Sequence, residues 1–77
     1  MRRYLLYTAI QTLSRVPKGN TFIVQDLIQP ILWSCLLSVP ERMNLGAAFM
    51  DWATKMGADV VRPLGKTAKD QQIYEKL

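Results

Sequence analysis

The chain contains no histidine and a single cysteine, Cys35. Without imidazole, histidine-based catalysis and the usual zinc-finger ligand sets are excluded. With one thiol, no disulfide can form within the chain, which fits a reducing, cytoplasmic setting. Cys35 lies in an apolar run with no base beside it and reads as inert packing. Acidic residues are few. The six carboxylates, Asp26, Glu41, Asp51, Asp59, Asp70 and Glu75, are scattered and form no acid–base pair or metal-binding cluster. No phosphate-cradling loop is present either, because Gly65-Lys66-Thr67 matches only the tail of one and lacks its upstream glycine. The sequence therefore gives no reason to expect an enzyme, a cofactor or a metal. Long apolar runs are missing too. The uncharged segment from Leu27 to Pro40 falls short of the roughly 20 residues a membrane span needs and is interrupted by Gln29, Pro30 and Ser34. After Met1-Arg2-Arg3 the apolar segment is soon broken by Gln11, Ser14 and Arg15, so no signal peptide is expected.

What the chain does have is 49% hydrophobic residues in 77 positions, a net charge of +4 and an estimated pI of 9.6. That is enough apolar material for one small folded domain over residues 1–77. The charge favours anionic partners without requiring nucleic acid.

The firmest local signal runs from Ser38 to Gly57. Ser38 and Glu41 make a capping box, Pro40 falls in the first turn where its missing N–H is harmless, and Gly57 stands where a left-handed C-cap is expected. Leu45, Ala48, Phe49, Trp52, Ala53 and Met56 share one face at three- and four-residue steps, so that face is expected to be core. Upstream, Arg2 to Arg15 reads as a helix with a stripe of Leu6, Ala9, Ile10 and Leu13, and with Leu5 and Tyr4 on its margins. Val16 to Asn20 is a turn in which Gly19 or Asn20 takes positive φ. Thr21 to Val24 reads as a short strand and Gln25 to Ile28 as a short helix limited by Pro30. Ile31 to Leu37, apolar almost all round, reads as a buried helical turn or two. Ala58–Leu64 and Gln71–Lys76 read as a hairpin across a polar loop, with Pro63 suited to an edge strand.

Helix, short strand, short helix, longer helix and hairpin are the elements of a winged helix, in winged-helix order. The expected architecture is an α+β winged helix-turn-helix: three helices, a short strand and a C-terminal β-hairpin. The first strand should pair with the hairpin in a small antiparallel sheet.

Val16-Pro17-Lys18-Gly19, Phe22 to Leu27, Trp33, Glu41-Arg42, Leu45-Gly46, Phe49, Leu64 to Thr67 and Gln72-Ile73-Tyr74 together resemble a family of small uncharacterised proteins. Its members belong to Gram-positive bacteria, their phages and mobile elements. The resemblance spans nearly the whole chain. It implies a winged-helix fold and a phage or mobile-element setting, and it brings no established site residues. The chain departs from the family at Ala47, a position that is often basic there.

Two readings of function follow. In the first, the chain is a regulatory protein that binds nucleic acid, most simply DNA. Arg62, Lys66 and Lys69 of the hairpin would contact phosphate, and Arg42 and Asn44 of the third helix would approach the bases. Against it, the third helix also carries Glu41 and Asp51, so its charge is close to neutral. In the second reading, the same scaffold binds a host or phage protein as an adaptor or inhibitor. Trp33, Met43 and Met50 would then be the interface candidates, and a homodimer is one form of it. Trp33, Trp52, Phe22 and Phe49 are most simply core.

Overall fold

The computed structural model describes residues 3–77. Helix α1 covers Arg3–Leu13, strand β1 Thr21–Phe22, helix α2 Val39–Thr54, and strands β2 and β3 Val61–Lys66 and Gln72–Lys76. A 3-10 turn at Val24–Leu27 and a π turn at Leu32–Leu36 connect β1 to α2. This is the expected α+β arrangement in winged-helix order. The first strand joins the hairpin, and the sheet has the order β1-β3-β2 with both pairings antiparallel.

Helix α1 buries Leu5, Ala9 and Leu13, one straight row at four-residue steps. The expected stripe is thus rotated: Leu5 is core, while Leu6 and Ile10 are only half-buried. The helix packs on the 3-10 turn and on α2 at once, and the row through Leu5 faces both. It stops at Leu13, short of the expected Arg15, because the N–H groups of Ser14, Arg15 and Val16 donate only three residues back. Arg2 lies outside the described residues. The carbonyls at this helix end receive a long-range cap: Lys76 Nζ donates to Leu13 O at 3.3 Å and Val16 O at 3.2 Å.

In the following turn Gly19 has φ +86°, as its position required. Its N–H donates to Lys76 O at 2.7 Å, and Lys76 N–H donates to Asn20 O at 2.9 Å, so the turn extends the β1–β3 pairing. The strand is shorter than expected because Val24 already belongs to the 3-10 turn. There Asp26 Oδ2 accepts from Ile23 N–H at 3.0 Å and starts the turn early.

The segment from Ile31 to Leu37 is helical, as expected, but not buried. Ile31 is 72% exposed, Leu36 62%, and of this segment only Leu37 is core. Cys35 is exposed rather than packed. The wide turn closes through Leu37 N–H to Leu32 O at 3.0 Å.

Helix α2 begins with the capping box: Ser38 Oγ accepts from Glu41 N–H at 3.3 Å and Glu41 Oε1 accepts from Ser38 N–H at 3.2 Å. Leu45, Phe49 and Ala53 are fully buried, and Trp52 packs beside them. The helix ends before Met56, which is exposed and not core. Gly57 does not adopt the left-handed conformation, since Gly19 is the glycine with positive φ. It serves another purpose: a β-carbon there would lie 2.6 Å from the Trp52 ring. The indole lies over the bare glycine and closes the end of the helix.

The hairpin starts at Val61, three residues later than expected, because turns occupy the chain from Lys55 to Val60. Pro63 lies on β2, an edge strand, opposite Tyr74 of the central strand. Tyr74 forms the centre of the core. Its ring stacks on Phe22 with centroids 5.7 Å apart and meets Phe49 edge-on at 4.9 Å. No helix among the described residues is long and apolar enough to cross a membrane.

Candidate functional site

The outer face of α2 and the hairpin stand apart and enclose a groove of about 450 Å³. One wall is α2, through Arg42, Met43, Gly46, Ala47 and Met50. The other is Lys66 and Asp70 to Gln72 of the hairpin, with Ile23 to Gln25 and Tyr74 between the walls and Trp33 at one end. The α2 wall is a second apolar stripe. Met43, Gly46, Ala47 and Met50 recur at three-, four- and seven-residue steps, on a face turned away from Leu45 and Phe49. Met43 is 70% exposed, and Met50 is half-buried.

Gly46 gives the groove its depth. A β-carbon at this position would meet nothing within 4 Å, so packing within the chain does not call for glycine. A glycine inside a helix costs about 1 kcal/mol relative to alanine. Tyr74 contributes a further unsatisfied feature. Its hydroxyl is buried without a hydrogen-bond partner, and burial pushes its pKa from 10.0 up to about 12.

The basic residues are mostly engaged. Arg42 Nε donates to Trp33 O at 2.9 Å and Nη2 to Ser34 O at 3.1 Å, satisfying carbonyls of the π turn. Its guanidinium also lies 5.7 Å from the centroid of the Trp33 ring. Arg42 therefore ties the π turn to α2, and Trp33, half-buried, is part of that joint rather than of the central core. Arg62 pairs with Glu75 across the sheet. Lys66 Nζ lies 3.2 Å from Asp70 Oδ1, and Lys55 Nζ 2.7 Å from Asp51 Oδ1. Lys69, near the hairpin tip, has no ion-pair partner among the described residues.

The hairpin tip is well defined. Thr67 N–H donates to Gln71 O and Asp70 N–H to Thr67 O, both at 2.9 Å, and Thr67 Oγ1 accepts from the N–H groups of Lys69 and Gln71. Asp70 has φ 65°, the left-handed residue that a three-residue hairpin loop needs before its closing pair.

Of the candidates named from sequence, the groove gathers Trp33, Arg42, Met43, Met50 and Lys66. Asn44, Arg62 and Lys69 do not line it. Sequence reasoning passed over Gly46, Gln25, Gln71, Gln72 and Tyr74 as site residues. The helical spacing of Met43, Gly46, Ala47 and Met50 was the available signal for Gly46.

Residues 7–76 match a family model described as a domain of unknown function, DUF1413. The chain belongs to this family. Its extent takes in all the groove-lining residues, from Ile23 to Tyr74. No curated protein matches the chain. No solved structure matches it either.

Proposed function

We propose that this chain is a non-catalytic protein-binding module of the cytoplasm, an adaptor or inhibitor on a winged-helix-like scaffold. Its binding site is the groove between α2 and the hairpin. One observation carries the reading: the outer face of α2 presents an apolar stripe to solvent, in a groove built partly from methionines and deepened by Gly46. Methionine-lined grooves adapt to apolar side chains of a partner, and half-exposed tryptophans anchor them. A setting in phages or mobile elements of Gram-positive bacteria fits a short regulatory protein of this kind.

A photo-crosslinking residue placed at Ala47, within the groove, tests this in cells. A control carries the same group at Lys18, in the turn before β1. Protein adducts should form at position 47 and disappear with Met43→Asp. Equal labelling at both positions would remove the groove from consideration.

Duplex DNA is the second reading. Lys69 near the wing tip, without an ion-pair partner among the described residues, supports it, together with the net charge of +4. In that reading Lys69, Lys66 and Arg62 touch phosphate, and Arg42 and Asn44 face the bases. The ion pairs of Arg62 and Lys66 and the carbonyl bonds of Arg42 would have to open or be shared. Duplex binding at low salt that weakens in Lys69→Ala, with no protein adduct at position 47, would favour DNA over the groove.

A further inference from the structure

We infer that the partner in the groove is a second copy of this chain, with the two α2 helices packed antiparallel across a two-fold axis at Gly46–Ala47. This rests on the protein-binding reading of the groove and names its occupant.

The argument begins with the order of residues along the exposed stripe. Helix α2 runs Val39–Thr54, and its midpoint falls between Gly46 and Ala47. The stripe is nearly symmetric about that point: Gly46 and Ala47 at the centre, Met43 and Met50 one turn out, Val39 and Thr54 at the ends. When such a stripe meets its own copy in the reverse direction, each Met43 faces a Met50 and the small residues face each other. That is the self-complementarity a two-fold interface requires. Glycine at the crossing point allows the two backbones to approach closely, and within the chain nothing lies within 4 Å of a β-carbon there. A glycine unfavourable for the helix and unneeded by the monomer is thus accounted for.

The charges agree with the same arrangement. About this axis Arg42 comes opposite Asp51 of the second copy. Glu41, in the first turn of one helix, comes toward Lys55 at the end of the other. Antiparallel helices also set opposite dipole ends side by side. A parallel arrangement would bring Asp51 to Asp51 and Arg42 to Arg42. The surface around the stripe adds apolar area in continuity with it: Val39 is 62% exposed and Met43 70%, with Leu36 beside them at the end of the π turn. Single exposed apolar residues are ordinary, but a contiguous set marks an interface.

The test uses the purified full chain. Sedimentation equilibrium over a concentration series should show a reversible dimer. Gly46→Leu fills the crossing point but has open space within its own fold, so it should stay folded by circular dichroism and raise the dimer dissociation constant at least tenfold. Asp51→Lys should weaken the dimer severalfold. In a Cys35→Ser background, Ala47→Cys should form a disulfide-linked dimer under mild oxidation, and Lys18→Cys should not. A monomer up to millimolar concentration, or a dimer indifferent to Gly46→Leu and not linked through position 47, would overturn the inference. Photo-crosslinking at Ala47 separates the two failures. If the chain is monomeric while adducts with another protein persist and depend on Met43, the groove still binds protein and only its occupant is wrong. If the adducts are missing as well, the groove reading falls too.

Discussion

Single residues carry more of the stability of this fold than its small size suggests. Tyr74 is wholly buried on the central strand, between Phe22 and Phe49, yet its hydroxyl has no hydrogen-bond partner. A buried, unsatisfied hydroxyl costs roughly 1–3 kcal/mol. Tyr74→Phe keeps the ring contacts and removes that cost, so urea denaturation should show it more stable by about 1 kcal/mol. The same burial makes the wild type sensitive to alkali. Its folded pKa is raised, from 10.0 to about 12. Below pH 10 both states hold the phenolic proton and stability is unaffected. Above pH 10 the unfolded chain releases it first, so stability falls until the folded form also ionises near pH 12. The loss is on the order of 2–3 kcal/mol by the usual conversion of pKa to free energy. Comparing wild type with Tyr74→Phe at pH 9 and at pH 11 cancels the lysine titrations, and only the wild type should show this component of the loss. Gly57 is a second such residue. A β-carbon would sit 2.6 Å from the Trp52 ring, so Gly57→Ala should destabilise by about 1–3 kcal/mol through overpacking. The double variant with Trp52→Leu should recover part of that in a double-mutant cycle.

At the level of elements, legibility followed the range of the interactions. The capping box of α2 is local in sequence, and Ser38 and Glu41 form it as expected. Ser38→Ala should cost about 1 kcal/mol by thermal denaturation, with the rest of the helix unchanged. Gly57 was legible as a stop but for a different reason, because its role depends on where an indole five residues earlier comes to rest. The end of α1 was not legible at all. Its own last turn holds no basic residue, and the cap comes from Lys76 on β3. Lys76→Met keeps the stem but removes the donors, and should cost about 1–2 kcal/mol as buried carbonyls lose charged partners. The π turn misled in the opposite direction. Its apolar composition pointed to burial, but a core this thin takes only Leu37 from the segment and leaves Ile31 and Leu36 outside. The candidate site was legible in part for the same physical reason. Met43, Met50, Trp33 and Arg42 stood out as residue types, and they meet in the groove. The ion pair between Arg62 and Glu75 and the carbonyl bonds of Arg42 depend on the fold, so basic residues that looked available in sequence prove to be engaged.

For the molecule as a whole, the decisive feature is that the last strand in sequence is the central strand in space. Strand β1 has two residues and pairs only with β3, and β2 pairs with β3 on its other side. Everything that joins the N-terminal half to the hairpin through the sheet therefore passes through Gln72–Lys76. That strand supplies Tyr74 to the aromatic core, the Lys76 cap to α1, and the backbone partners of Gly19 and Asn20. Without it, β1 has no partner, Phe22 and Phe49 lose the ring that fills the space between them, and β2 becomes an isolated strand that cannot persist in water. Helices α1 and α2 are 11 and 16 residues long, and isolated helices of such length are marginal in water. A chain ending at Gln71 should thus lose its cooperative thermal transition altogether, not merely melt some degrees lower. Calorimetry together with near-ultraviolet circular dichroism of Trp33 and Trp52 measures this. A truncated chain that still melted in one sharp transition would mean that the two helices hold the core without the sheet. Removing Leu77 alone sets the scale of the comparison. Its N–H donates to Val60 O at 2.8 Å at the frayed end of the ladder, so that deletion should leave one cooperative transition at a slightly lower temperature.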